Sequence, residues 1–213
     1  MPRILIVITS CHKNWEHRKA IRETWLTRLP LGMSYCFVVG TGPRIDEPNI
    51  IQLDVADHYG ALPMKSYLAF RLVLVRYGFD WLMKVDDDTF LVPERLSSVF
   101  FDKRAEYIGS DCCYEEGYAT GGAGYLLTRA RVAQLAIAQP PVDWIEGEDG
   151  WVGMQMRRLG CPLYWTPLLH HSNRDHIDRD LRPTQFNNYV TGHYLKPEAM
   201  REMHAQFYGP GPF

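Results

Sequence analysis

The chain has 213 residues, 46% hydrophobic and 23% charged, the make-up of an ordinary globular protein long enough to bury a core. Its net charge of −2 gives no electrostatic case for nucleic acid or an anionic membrane surface, and no apolar stretch is long enough to span a bilayer. Five cysteines without zinc-like spacing, and no Asn-x-Ser/Thr sequon, point to a reducing, cytoplasmic setting.

Met1-Pro2-Arg3 leads at once into a strand, Ile4 to Ile8, so the fold is expected to begin with the first residues. After the polar bend Thr9-Ser10-Cys11-His12, apolar spacing predicts a helix from Trp15 to Leu26. Arg18 and Arg22 share a face of it. Either Arg22 pairs with a nearby Glu, or both guanidiniums approach a nucleotide diphosphate. Strands follow at Ser34 to Gly40 and Ile50 to Leu53, then a long amphipathic helix from Pro63 to Tyr77. With the next strand the order is β-α-β-β-α-β, which argues a largely parallel sheet covered by helices, with ligands at the carboxyl ends of its strands.

That next strand, from Trp81, runs straight into Asp86-Asp87-Asp88. Three adjacent anions repel, and Asp is a poor strand former, so stability does not explain the run. Alternation along an extended chain puts Asp86 and Asp88 on one side and Asp87 on the other. Two carboxylates together at a strand end suit a hard divalent cation. The plainer alternative is a solvated acidic turn that caps a helix after it.

Pro93 to Phe101 reads as a short helix and Tyr107 to Ser110 as a strand. Gly121-Gly122-Ala123-Gly124 interrupts an apolar run, so close backbone approach or positive φ is expected there. It lacks the Lys-Ser/Thr of a P-loop. A helix from Thr128 to Ala138 stops before Pro140-Pro141. Glu148 and Asp149 open another helix, to Leu159. A strand from Leu163 runs toward His170 and His171, either of which suits a metal. The polar tail from Asn173 shows no strong period and is expected to wrap over the sheet edge or cover the site.

Taken together, five segments resemble the β-1,3-glycosyltransferases, the family that includes β-1,3-galactosyltransferases, β-1,3-N-acetylglucosaminyltransferases and Fringe. Arg18-Lys19-Ala20-Ile21-Arg22-Glu23-Thr24-Trp25 resembles R-x-x-I-R-x-T-W. Asp57-His58-Tyr59-Gly60-Ala61-Leu62-Pro63-Met64-Lys65 resembles D-x-Y-x-N-L-T-x-K with Asn and Thr replaced. Lys84 to Phe90 resembles K-x-D-D-D-x-F, Gly121 to Tyr125 resembles G-G-x-G-Y, and Glu148 to Gly153 resembles E-D-V-x-x-G with Gly in place of Val.

The resemblance implies an α/β fold, a single GT-A domain over residues 1–213 with a mixed, mostly parallel sheet flanked by helices. It implies a UDP-sugar donor, a carbohydrate acceptor, Mn²⁺ and inversion at the anomeric carbon. Asp88 would bind the metal together with His171 or His170, His171 preferred. Asp86 and Asp87 would position the ribose and the metal's water shell. Asp149 would be the catalytic base, with Glu148 orienting the acceptor. Arg18, Arg22 and Lys65 would lie near the nucleotide, and Gly121 and Gly122 would let a sugar lie against bare backbone. Tyr125, Trp144 and Trp151 are candidate stacking platforms. A compact bacterial or viral relative fits better than a trimmed Golgi-lumen enzyme. Two rival readings remain: a metal-dependent phosphohydrolase or nucleotidyltransferase, and a catalytically silent carbohydrate-binding relative.

Overall fold

β1 (Ile4–Thr9) is buried along its whole length because both its faces are covered. Ile4, Ile6 and Ile8 pack with Trp25, Phe37, Met83 and Val85 on one side, while Leu5 and Val7 pack with Val38, Phe70, Val73 and Leu82 on the other. Each such side chain removed from water contributes about 1.5–3 kcal/mol. The computed structural model describes residues 2–100, 102, 104–110, 117–144, 146–170 and 188–209.

Around β1 lies a mixed sheet in the order β3-β2-β1-β4-β7-β6-β8. It is built from β2 (Met33–Val39), β3 (Ile50–Gln52), β4 (Trp81–Asp86), β6 (Tyr107–Gly109), β7 (Tyr125–Thr128) and β8 (Tyr164–Trp165). Among the described strands of this sheet only β7 runs against its neighbours, pairing antiparallel with β4 and β6. α1 (Trp15–Glu23) and α5 (Pro197–Tyr208) cover one face. α2 (Leu62–Arg76), α3 (Arg129–Ala136) and α4 (Glu148–Arg158) cover the other. A smaller sheet, β5 (Phe90–Leu91), β10 (Thr191–Gly192) and β9 (Leu169–His170), lies in the order β5-β10-β9. Among the described residues no helix is long and apolar enough to cross a membrane.

Two expectations are corrected. The first helix stops at Glu23: Thr24 leaves helical geometry while its hydroxyl donates to the Ala20 carbonyl at 2.6 Å, and a 3-10 turn follows at Trp25–Arg28. The short helix expected from Pro93 is present as a 3-10 run, Pro93–Val99. The tail is not without period, because α5 starts at Pro197 and buries Met200 and Met203 against α1's side of the core. Proline at the first helical position followed by apolar residues at three- and four-residue spacing was the available signal. Arg201 of α5 pairs with Glu23 at 2.8 Å. Residues 171–187 lie outside the described residues, and His171 with them.

The break at Thr24 turns Trp25 inward, where it is fully buried and its indole N–H donates to the Thr89 carbonyl at 3.2 Å. That bond holds the loop just past the aspartates. Trp25→Phe is expected to lower stability by about 1–3 kcal/mol, since a buried carbonyl loses its donor and a void opens. Urea denaturation with an unchanged m-value checks it.

Candidate active site

The carboxyl ends of β1 and β4 lie side by side, Thr9 opposite Asp86, and the Asp87 N–H donates to the Thr9 carbonyl at 3.0 Å. Here a cavity of about 520 Å³ opens, within the range for small-molecule sites. Six carboxylates line it: Asp57, Asp86, Asp87, Asp88, Glu148 and Asp149.

Asp86, Asp88 and His193 present ligand atoms within 4.8 Å of one another. The His193 Nε2 sits 3.0 Å from an Asp88 oxygen. Two carboxylates and an imidazole form an oxygen-and-nitrogen donor set that suits a divalent cation such as Mn²⁺. The glycine-rich segment makes room for this set. A Cβ on Gly122 would overlap the His193 ring, and one on Gly121 would come within 2.7 Å of the Glu148 Oε2. Bare backbone at Gly122 therefore faces the protein's own histidine. Threonine hydroxyls hold the segment in place, Thr89 donating to the Gly122 carbonyl at 2.7 Å and Thr191 to the Ala123 carbonyl at 2.6 Å. On the other flank the Leu195 N–H donates to the Asp88 carbonyl at 2.8 Å, which ties the His193 segment to the aspartates.

Asp87 turns away from this group. Its oxygens accept from Ser10 Oγ at 2.6 Å and Asn14 Nδ2 at 3.1 Å. Burial pushes its carboxyl up to about 7, against those hydrogen bonds and with the Asp88 charge adding to the rise.

Lys84 is buried beneath the site. Its ammonium reaches Asp86 at 2.8 Å, Glu148 at 2.9 Å and the Gly121 carbonyl at 3.2 Å. Burial works against its charge, but Asp86 and Glu148 more than reverse this and raise it well above an ordinary lysine. Glu148 is also fully buried, and its second oxygen accepts from the Tyr125 hydroxyl. Burial, with the Asp149 charge behind it, lifts the Glu148 carboxyl against the pull of Lys84. Asp149 is half-buried and opens α4, one oxygen accepting from the Gly121 N–H at 3.2 Å and the other from the Gly150 N–H at 3.1 Å.

The structure brings Asp86, Asp87, Asp88, Gly121, Gly122, Glu148, Asp149 and Lys65 around one cavity. Lys65 Nζ pairs with Asp57 at 2.7 Å and donates to the Ser10 carbonyl at 2.9 Å. Arg18 and Arg22 do not line the cavity. Both grip Glu47, at 2.8 and 2.7 Å, and Arg18 also donates to Ser10 Oγ at 3.1 Å, behind Asp87. His170 lies on β9 with its ring stacked on Tyr189 at 4.3 Å, apart from the Asp86–Asp88–His193 group. Tyr125 and Trp151 are core residues, not platforms. Trp144 donates its indole N–H to the Glu146 and Gly147 carbonyls, while Tyr59, 79% exposed, stands on the cavity's rim. His193 escaped the sequence reading, and Lys84 entered it only as the first residue of the K-x-D-D-D-x-F segment, with no role of its own. His193 sits just past a two-residue strand with no readable period, and the β-branched and aromatic run Tyr189-Val190-Thr191 was the weak signal for it.

A family model described as galactosyltransferase matches residues 16–114, from α1 through the aspartate cluster. Probable beta-1,3-galactosyltransferase 12 of Arabidopsis thaliana is 26% identical over 161 residues, 65% of this chain and 38% of that protein. Beta-1,3-galactosyltransferase 5 of Homo sapiens is 24% identical over 249 residues, 93% of this chain and 76% of that one. The chain thus spans little more than a third of the matched Arabidopsis relatives, 35% and 38%, and most of the human relative.

The fold is GT-A, shared with solved glycosyltransferases. A glycosyltransferase involved in the glycosylation of the major capsid of PBCV-1 has a TM-score of 0.62 at 12% identity, over 95% of this chain and 99% of that one. The mannosyltransferase PcManGT from Pyrobaculum calidifontis, solved in complex with GDP-Man and Mn²⁺, has a TM-score of 0.54 at 10% identity, over 79% of this chain and 55% of that one. At such identities the likeness is one of fold.

Gly122→Ala is expected to displace His193 and cost about 1–3 kcal/mol through overpacking. Mn²⁺ titration by calorimetry should show affinity at least about tenfold weaker, as expected for loss of an orienting contact at a ligand. Wild-type affinity would remove His193 from the metal group.

Proposed function

We propose that this chain is an inverting, Mn²⁺-dependent glycosyltransferase. It moves a hexose or N-acetylhexosamine from a UDP-sugar to a sugar hydroxyl, with a β-1,3 linkage. The observation that carries the reading is that the Asp86–Asp88–His193 group and Asp149 share one cavity. The galactosyltransferase family model that matches residues 16–114 and the GT-A fold support it.

A divalent cation held by Asp88, His193 and Asp86 would supply Lewis-acid compensation for the charge that develops on the departing diphosphate. The rest falls to the chain's own side chains. Asp149, its carboxylate fixed by the Gly121 and Gly150 N–H groups, takes the proton of the attacking hydroxyl. The hydroxyl oxygen bonds to the anomeric carbon as the bond from that carbon to the UDP oxygen breaks. UDP leaves with the electron pair. Attack from the face opposite UDP converts an α-linked donor into a β-linked product, with no covalent enzyme intermediate. Both oxygens of Glu148 are engaged by Lys84 and Tyr125, so Glu148 holds the start of α4 instead of meeting the acceptor. Lys65 lines the same cavity, and exposed Tyr59 offers a ring face to a sugar. Cys11, Cys36 and Cys161 are free thiols, which supports a cytoplasmic location.

A screen of UDP-sugars with Mn²⁺ against simple sugar acceptors, scored by UDP release, tests the activity. Release of inorganic phosphate in place of UDP would favour a phosphohydrolase. UDP should raise the melting temperature only with Mn²⁺ present, and Asp88→Asn should abolish that shift. Asp149→Asn should keep the shift and lower kcat by about 10²- to 10⁴-fold. Retained turnover would remove Asp149 from the base role.

A further inference from the structure

The site has two halves on separate elements. The metal-binding candidates sit at the end of β4 and after β10, and the proton acceptor sits at the start of α4. Transfer requires the acceptor oxygen and the anomeric carbon to meet at bonding distance, so the spacing of these halves matters at the level of an ångström. The ion pair from Lys84 to Asp86 and Glu148 joins them directly.

Lys84 is suited to this. Strand alternation aims Leu82, Lys84 and Asp86 at the face that α2 and α4 cover, so the ammonium enters beneath α4 from inside the sheet. All three of its protons have acceptors: one carboxylate from each half, and the Gly121 carbonyl between them. The side chain borders the cavity but is only 2% exposed, its ammonium taken up by the two carboxylates and the Gly121 carbonyl. Glu148 is locked from its other side by the Tyr125 hydroxyl, and Asp149 is the next residue. A shift of Lys84 would therefore move the base.

We propose that Lys84 is a positioning residue that sets the distance between the metal-holding edge of β4 and the Glu148–Asp149 start of α4. It thereby governs the transfer step and not donor capture. The proposal rests on the transferase reading above. It also carries a second consequence. Lys84 competes with any metal for the charge of Asp86, so removing the ammonium should free that carboxylate for the ion.

The test compares wild type, Lys84→Met and Lys84→Arg by two readouts: Mn²⁺ affinity from calorimetry, and kcat and acceptor KM from UDP release. Lys84→Met is expected to bind Mn²⁺ at least as tightly as wild type, up to about tenfold tighter. Its kcat should fall by about 10²-fold with acceptor KM nearly unchanged. Lys84→Arg, which keeps the charge, should recover part of kcat. Opposite movement of metal affinity and turnover is what a merely structural role would not produce. If the single Met variant fails to fold, Lys84→Met with Glu148→Gln, which removes the carboxylate left unpaired, carries the same readouts and the same expectation. Wild-type kcat in whichever Met variant folds, or metal affinity and turnover falling in parallel, would overturn the proposal. Absence of UDP release from wild type would instead count against the transferase reading, while the metal titration would still report on Lys84.

Discussion

Charge compensation inside the sheet is the constraint on which this structure depends. Six carboxylates line one cavity, and their mutual repulsion would open the carboxyl edge of the sheet unless cations lay behind them. Lys65 and Lys84 do so, each almost wholly buried, Lys65 on Asp57 and Lys84 on Asp86 and Glu148, while buried Arg18 is paired with Glu47 outside the cavity. Burying an ammonium or guanidinium without a partner is prohibitive, so each cation and its acid are placed as a unit. Arg18 is held by Glu47 and meets Ser10, which in turn donates to Asp87. Lys65 binds Asp57, whose other oxygen accepts the His12 N–H at 2.6 Å. Lys84 spans Asp86 and Glu148.

This division leaves Asp88, Asp149 and the imidazole of His193 on the open side, together with the outer edge of Asp86. Neutral hydrogen bonds set their positions. Trp25 reaches the Thr89 carbonyl, Thr89 and Thr191 reach the glycine segment, and Leu195 reaches the Asp88 carbonyl. Charge is thereby kept for chemistry while uncharged groups provide the scaffold, and Gly122 yields the space that the His193 ring fills.

Much of this was legible in the residues. The strands read from β-branched and aromatic runs are present, except that the one from Leu163 toward His170 is split by a turn into β8 and β9 in different sheets, and α2, α3 and α4 lie close to the bounds that apolar spacing predicts. The acidic cluster at the end of β4 and the acidic start of α4 stand in one cavity, as strand-end placement in a mostly parallel sheet implies. The glycine segment was recognisable as a place of close approach, but not what approaches it. Arg18 and Arg22 share a helix face, yet local spacing does not reveal that Glu47, 25 to 29 residues on, takes both guanidiniums. The exposed and buried aromatics were equally unreadable. Tyr125 and Trp151 carry the same chemistry as Tyr59, and only packing decides which ring meets water.

What the sequence determined by itself is the order of elements and the positions where anionic side chains end a strand or begin a helix, because those depend on periodicity and backbone preference over a few residues. The partners of those anions were decided by tertiary structure. Eight histidines are available, and His193 joins Asp86 and Asp88 only because a two-residue strand on β5 and β9 delivers it beneath Gly122. Lys84 bridges Asp86 to Glu148 only because α4 crosses the face toward which β4's alternation aims it. Contacts between residues 60 to 110 positions apart depend on how layers pack, and no local pattern encodes that.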